Sequence, residues 1–384
     1  MINKQKIGVL QVCVGGPCYG GVEKFLLEYY SYFDKSIFTW DFLFCNRNAL
    51  KAKAKDDIFK GSLFYELNII DNDMSKNTAV DFIRLFRTLR KLMDEHPYDI
   101  VHVNTGSIII QTICALAFRK YKKIIKISHS HSSPLRSSYI KEKIFDICRI
   151  IIVNSYDYLL SCSSDAGRRL YGNNCIKQNN YRVIKNAINA DRFLYSEAIR
   201  REIRKKNRIE DHIIYSFVGR LDNNKNPFYL IDVFSGLVQR NEKARLWIIG
   251  DGELRQEVES YIKRRQLSDY IWMLGNREDV AQLLQAADAL IFPSKHEGLS
   301  LVIIEAQAAG LPVFAADSIS REHDITGLIS FIPLDKGSKK WADIISNKQL
   351  PIKRESTKEQ IDAKGYNIVQ ASKSLQELYL EAIH

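Results

Sequence analysis

The chain is 384 residues long, 46% hydrophobic and 26% charged, which excludes a disordered protein and supplies enough apolar material for two domains with separate cores. Its formal net charge is +11, all of it from the first half: residues 1–190 hold 28 Lys and Arg against 17 Asp and Glu, 28 − 17 = +11, while residues 191–384 hold 28 of each sign. Seven cysteines, with no C-x-x-C pair and no Cys/His set at zinc spacing, argue against a disulfide framework and for reduced thiols in a cytoplasmic protein.

No signal-peptide pattern opens the sequence, since Met1 to Lys6 runs straight into the apolar strand Ile7–Val12. The apolar runs fall far short of the roughly 18 residues that a membrane span requires. Further strands are predicted at Phe38–Cys45, Ser62–Ile70, Ile100–Asn104, Lys123–Ser128, Ile151–Val153 and Tyr158–Cys162, with helical patterns at Val22–Phe33 and Thr78–Glu95. The polar stretch Arg192 to Asp211 reads as a linker carrying an interdomain helix. Beyond it strands resume at Ile213–Val218, Leu246–Ile249, Ile271–Leu274, Ala289–Phe292, Val313–Ala315 and Gly327–Phe331, and a last helix is expected within Ile361 to Ile383. Short apolar runs alternating with amphipathic stretches predict an α/β chain of repeated βα units with parallel sheets. The expected domains are 1–191 and 192–365, followed by a terminal helix over 366–384.

The turns after these strands carry the chemistry. Gly15-Gly16-Pro-Cys-Tyr-Gly20-Gly21 follows the first strand and lets backbone approach a ligand, but it lacks the G-x-G-x-x-G pattern of a dinucleotide site, which argues against an oxidoreductase. His129 would project from the carboxyl end of its strand, where open α/β sheets place ligands, and His131 two residues on competes with it. Basic clusters at Arg119 to Lys126 and Arg136 to Arg149 suit an anionic lipid surface or a pyrophosphate-bearing acceptor as well as plain solvation. No aromatic-basic interleaving points to nucleic acid. Arg220 and Lys225, five residues apart after an apolar strand, can grip one pyrophosphate or simply be surface charges. Gly250-Asp-Gly252 is by itself any Rossmann-type turn. Glu297 and Gly298 lie in a turn before the apolar helix Leu301-Val-Ile-Ile-Glu305-Ala-Gln-Ala-Ala, with Ser300 as N-cap, so free amides would face an anion. A carboxylate on such a helix costs several kcal/mol unless it accepts hydrogen bonds, which sugar or ribose hydroxyls, or backbone amides, would provide.

The paired glutamates followed by Ala306-Gln-Ala-Ala-Gly310-Leu-Pro-Val resemble the donor-site signature of glycosyltransferase family 4, retaining nucleotide-sugar transferases of the GT-B fold. Phe217-Val-Gly-Arg220-Leu-Asp-Asn-Asn-Lys225, Trp247-Ile-Ile-Gly250-Asp-Gly252 and Trp272-Met-Leu-Gly275-Asn-Arg277 match in order, as do Gly20-Gly-Val-Glu23, His129-Ser-His131 and Asn186-Ala-Ile-Asn-Ala-Asp191 upstream. The resemblance spans nearly the whole chain. It implies two Rossmann-like domains whose parallel sheets face a central cleft, with the terminal helix crossing back onto the first. It further implies that Arg220 and Lys225 stabilise the leaving diphosphate, that Glu305 binds ribose hydroxyls and Glu297 sugar hydroxyls, and that His129 reaches the sugar. Gly250, Gly252, Asn276 and Arg277 would lie near the nucleobase; Gly16, Gly20, Gly21, Gly298, Leu299, Ser300 and Leu301 would complete the donor site; His131 and Arg136 would face the acceptor. No metal or cofactor is expected, because Asp71-Asn-Asp73, which spells the D-x-D motif of the other large transferase fold, sits in polar surroundings that suit a turn. The segment Ala316-Asp317-Ser-Ile-Ser-Arg321-Glu322 departs from the glycine-rich loop of many members and resembles a bacterial branch acting in capsular and exopolysaccharide assembly. The expected activity is therefore transfer of a hexose from a UDP-sugar to a polyprenyl-diphosphate-linked saccharide, by a cytoplasmic protein peripheral to the plasma membrane. The alternatives are a UDP-sugar epimerase of the same fold or a non-catalytic nucleotide-sugar-binding subunit.

Overall fold

Strands such as Ile7–Cys13 and Phe38–Phe44 are buried on both faces, as strands covered by helices on either side must be. A computed structural model describes residues 6–13, 21–44, 59–67, 79–131, 139–297, 300–351 and 354–384. The chain divides into two units, Met1–Ala187 with Ile368–His384, and Ile188–Asn367.

The first unit holds a parallel sheet of β1 (Ile7–Cys13), β2 (Phe38–Phe44), β3 (Phe64–Glu66), β4 (Ile100–Asn104), β5 (Ile125–Ser130), β6 (Tyr158–Ser161) and β7 (Tyr181–Val183), in the order β3-β2-β1-β4-β5-β6-β7. The order reverses between β1 and β4, the position where open α/β sheets leave a crevice at their carboxyl ends. One face packs the helices Ala79–Glu95, Ile108–Phe118 and Tyr139–Ser155 through Leu85, Leu89, Ile110, Cys114, Phe118 and Ile152. The other packs Gly21–Tyr32 together with Ile368–Ile383, burying Phe25, Leu26, Tyr29, Leu375 and Tyr379.

The second unit repeats the design with β8 (Ile213–Val218), β9 (Ala244–Ile249), β10 (Ile271–Gly275), β11 (Ala289–Phe292), β12 (Val313–Ala316) and β13 (Ile329–Ile332), all parallel in the order β10-β9-β8-β11-β12-β13. Its reversal lies between β8 and β11.

Three expectations are corrected. Ile151–Val153 is not a strand but part of the Tyr139–Ser155 helix, where Ile152 is fully buried and Ile150 is 63% exposed, an alternation that only a helical period produces. The expected linker helix, Glu197–Lys206, belongs to the second unit. There Arg200 donates to the carbonyls of Ala286 and Ala287 (both 2.8 Å) and Arg204 to Ala286 (3.0 Å), satisfying the open end of the Val280–Ala286 helix. The last helical pattern is two helices, Lys358–Ala363 and Ile368–Ile383, separated around Gly365 at φ +73°. The short strand β7 was not foreseen, since Tyr181–Val183 carries too few residues to show a period.

Candidate active site

The loops that follow β8 and β11 meet at the reversal point of the second sheet. The Lys295 amide donates to the Asn224 carbonyl (2.8 Å), Asn224 Nδ2 to the His296 carbonyl (2.8 Å) and Asn226 Nδ2 to the Pro293 carbonyl (3.4 Å), so the two loops hold each other. Asp222 is buried and splits its carboxylate: one oxygen takes Arg220 Nε (2.6 Å), the other the Lys225 amide (2.8 Å). Lys225 Nζ lies 2.6 Å from Glu297 Oε1 and 4.7 Å from the centre of the Phe292 ring, and the Ser294 hydroxyl donates to the same Glu297 oxygen. Three predicted residues, Arg220, Lys225 and Glu297, are thus brought together. The Arg220 side chain is 51% exposed, while those of Lys225 and Glu297 are 17% and 11% exposed. An exposed guanidinium beside a half-hidden ammonium–carboxylate pair can take an anion and a hydroxylated ligand at once, the anion competing with Glu297 for the ammonium.

Gly250 and Gly252 have a packing reason of their own. A Cβ on Gly250 would stand 2.1 Å from the Gly219 carbonyl oxygen, and one on Gly252 would stand 2.4 Å from the Leu221 carbonyl oxygen. The turn after β9 is pressed onto the Arg220 loop, and the Leu221 amide donates to the Asp251 carbonyl (3.0 Å). Asn276 and Arg277 follow β10 and are exposed, the guanidinium forking onto Asp279 (2.7 and 2.6 Å). Leu301 opens the Leu301–Ala308 helix and is buried, as is Glu305 one turn on.

Ser300 occupies the N-cap position of the Leu301–Ala308 helix, as expected, but does not cap it through its side chain. The Ser300 side chain makes no cap hydrogen bond, and its amide donates to His323 Nε2 (2.9 Å). His323 Nδ1 faces the Ser320 carbonyl (2.9 Å), an atom that only accepts, so the ring is protonated at Nδ1 and free to accept at Nε2. Gln307 completes the clamp, its oxygen taking the amides of Ile325 (2.9 Å) and Thr326 (3.1 Å) and its nitrogen reaching the His323 carbonyl (2.7 Å). His323, Gln307, Asp222 and Ser294 went unforeseen; the Asp two places after Arg220 was a usable signal, whereas the others act through contacts distant in sequence.

The first unit has its own polar centre, at the ends of β1, β4 and β5. Gln11, His102, Asn104, His129, His131, Asn186 and Tyr379 are all buried. His129 does not project outward as expected: it is fully buried, its ring parallel to His102 at 5.2 Å and edge-on to Phe25 at 5.1 Å. Its Nε2 has no hydrogen-bond partner among the described residues, although the Ile184 carbonyl faces the ring closely enough to favour its protonation. His131 places Nε2 3.0 Å from Asn104 Oδ1 and Nδ1 3.3 Å from Asn186. Burial holds all three imidazoles neutral, His131 down to about 3, and for His129 and His102 the neighbouring His131 adds to the effect.

Gly21 opens the Gly21–Tyr32 helix. Gly16, Gly20, Gly298, Leu299, Arg136, Asp71 and Asp73 lie outside the described residues. Among the described residues no three His, Cys, Asp or Glu side chains gather as a metal site, and no helix is long and apolar enough to cross a membrane.

Comparison with known proteins agrees with this architecture. A model of Glycosyltransferase Family 4 matches residues 19–192, and a model of Glycosyl transferases group 1 matches residues 199–326. EpsF of Bacillus subtilis (strain 168), named as a glycosyltransferase, is 28% identical over 98% of this chain and 97% of its own. An Escherichia coli protein named UDP-Gal:alpha-D-GlcNAc-diphosphoundecaprenol alpha-1,3-galactosyltransferase is 23% identical over 99% of this chain and 98% of its own. Among solved structures, HepE of Anabaena in complex with UDP and glucose superposes with a TM-score of 0.67 at 18% identity, over 96% of this chain and 94% of HepE. Two family models matched in order, one over each half, and two parallel-sheet Rossmann-like units place the chain in glycosyltransferase family 4, as a glycosyltransferase of the GT-B fold.

Proposed function

We propose that the protein moves a hexose from a UDP-sugar to a saccharide carried on a polyprenyl diphosphate, with retention at the anomeric carbon and without a metal, in assembly of a capsular or exopolysaccharide. The observation that carries this reading is the cluster of Arg220, Asp222, Lys225 and Glu297 at the reversal point of the second sheet. The donor assignment draws on HepE, solved with UDP and glucose, and on the E. coli relative, named for a UDP-Gal donor and a diphosphoundecaprenol-linked acceptor.

The donor diphosphate takes the ammonium of Lys225 and the guanidinium of Arg220, and Glu297 turns to the sugar hydroxyls while Glu305 meets the ribose. As the bond from C1 to the phosphate oxygen breaks, negative charge grows on the departing UDP, and these two cations oppose it. The acceptor oxygen bonds to C1 on the same face, and its proton passes to the departing phosphate oxygen, so no protein base is assigned. His129 is assigned to the sugar through Nε2, which is buried and without a hydrogen-bond partner among the described residues, so the contact requires the ring to be uncovered when the sugar binds. His131 and Arg136 serve the acceptor.

The acceptor lipid puts the protein at the cytoplasmic face of the membrane. Ile144, Ile147 and Ile150, 53%, 61% and 63% exposed, form a solvent-facing apolar stripe on the Tyr139–Ser155 helix beside the exposed Lys143, a pattern that suits an anionic bilayer surface. Flotation with phosphatidylglycerol vesicles should capture the protein, and I147D should release it.

Calorimetric titration with UDP, GDP, ADP and their sugar conjugates, with and without EDTA, tests the donor site. Selective binding of UDP that EDTA leaves unchanged is expected. Binding that requires a divalent metal overturns the metal-free mechanism, and release of UDP without any acceptor makes the chain an epimerase-like enzyme. Proton NMR of the glycoside product reads retention directly.

A further inference from the structure

The buried polar centre of the first unit is wired in one direction. Asn104 Nδ2 lies 3.1 Å from the backbone carbonyl of His102, an atom that can only accept, so the amide orientation of Asn104 is fixed. Its second hydrogen points to Gln11 Oε1 (2.9 Å), which turns Gln11 Nε2 toward the Tyr379 hydroxyl (3.0 Å). Tyr379 therefore accepts from Gln11, and among the described residues the acceptor left for its own proton is His102 Nδ1, 2.6 Å away. A neutral His102 that accepts at Nδ1 carries its proton at Nε2, which lies 3.2 Å from His129 Nδ1. His129, accepting there, must carry its own proton on Nε2.

We propose that Tyr379, on the last helix, is a positioning residue that acts through His102 to fix His129 as the Nε2–H tautomer, so that His129 presents a hydrogen-bond donor and not a base. The ring nitrogen without a hydrogen-bond partner among the described residues is the one that the relay loads with a proton. A neutral donor suits an oxygen gathering partial charge, such as a hydroxyl or ring oxygen of the transferred sugar, and in that respect the inference rests on the function proposed above. Burial of His102 and His129, both with no exposed surface, keeps the relay neutral.

Two-bond 1H–15N correlation of the full-length protein labelled with [15N]histidine reads each tautomer directly, with His129→Gln and His102→Gln supplying the assignments. His129 should show a protonated Nε2 and a bare Nδ1. Tyr379→Phe, which removes only the hydroxyl, should mix the tautomers at both rings and lower kcat about tenfold with the donor KM unchanged. If Tyr379→Phe fails to fold, His102→Gln, which keeps a donor near the Nε2 position, should preserve the His129 pattern, and His102→Leu should lose it. A proton on Nδ1 of His129 in the unaltered protein, or tautomers indifferent to all these changes, overturns the relay. The intended tautomer together with full activity in His129→Gln leaves the relay standing and overturns the sugar contact assigned to His129.

Discussion

Lys225 answers to three neighbours at once, the Glu297 carboxylate, the Phe292 ring and, through its amide, Asp222. Its removal therefore has two separable effects. Lys225→Met should lower kcat about 10²–10³-fold, the usual consequence of losing one preorganised charge-stabilising group. It should also leave the Glu297 carboxylate to the Ser294 hydroxyl, which a change in donor KM beside the fall in kcat would show. Arg220→Ala should cost a similar factor in kcat with unaltered stability, because that side chain is half exposed and, among the described residues, held from Asp222; activity retained in both variants would remove these residues from the reaction. Gly250→Ala tests backbone packing alone. Its Cβ would meet the Gly219 carbonyl at 2.1 Å, and φ is +129°, so a loss of at least about 2 kcal/mol is expected in denaturant unfolding. Gly337→Ala, at φ +77° and ψ +159° but with nothing within 4 Å, should lose about 1–3 kcal/mol from backbone strain without any clash.

At the scale of elements, the helix Leu301–Ala308 depends on the segment that follows β12. Gln307 accepts from the Ile325 amide, the Thr326 amide and the Thr326 hydroxyl, and donates to the carbonyls of Ile303 and His323. Gln307→Leu leaves several of these buried groups unpaired, and a loss of about 2–4 kcal/mol should follow. Faster amide exchange at Ile325 and Thr326, with the sheet still protected, would locate the damage; unchanged exchange would show that the segment holds without the clamp. Legibility followed the same division between local and distant causes. Strands such as β4, β8 and β11 were readable because each is a short apolar run closed by a polar turn, and Arg220, Lys225 and Glu297 were readable because they directly follow β8 and β11. Ile151–Val153 misled because three β-branched residues look alike in a buried helix and a buried strand until the exposure of Ile150 is known. The roles of His323 and Tyr379 were unreadable because their partners, Ser300 and His102, lie 23 and 277 residues away. The histidine that takes the Ser300 amide was hidden for the same reason, although Ser300 itself stands at the N-cap position as expected.

For the whole molecule, the two units should differ in their response to acid. Unit one keeps His102, His129 and His131 fully shielded and neutral, whereas in unit two His323 is the comparable deeply buried ring among the described residues, also lowered chiefly by burial. An imidazole whose folded pKa lies below its unfolded value of 6.5 binds protons more readily in the unfolded chain. Its stabilising contribution is complete above pH 6.5 and falls away as the pH drops through and below that value. Between pH 7 and pH 5 a ring that stays neutral in the folded chain, as His131 at about 3 does, removes about 2 kcal/mol, and the first unit holds three deeply buried rings lowered by burial against one in the second among the described residues. Since folded domains hold only about 5–15 kcal/mol in reserve, acid should open the first unit while the second remains closed. Hydrogen exchange read by mass spectrometry at pH 7, 6 and 5, corrected for intrinsic rates, follows both units in one sample. Protection should fall first in β4, β5 and the Ile368–Ile383 helix, the elements that carry His102, His129 and Tyr379. His102→Gln, which removes one titrating ring, should flatten that fall by about one third. Equal loss in both units, or stability unchanged down to pH 5, would mean that the three imidazoles are not held neutral, and the buried relay would fall with that result.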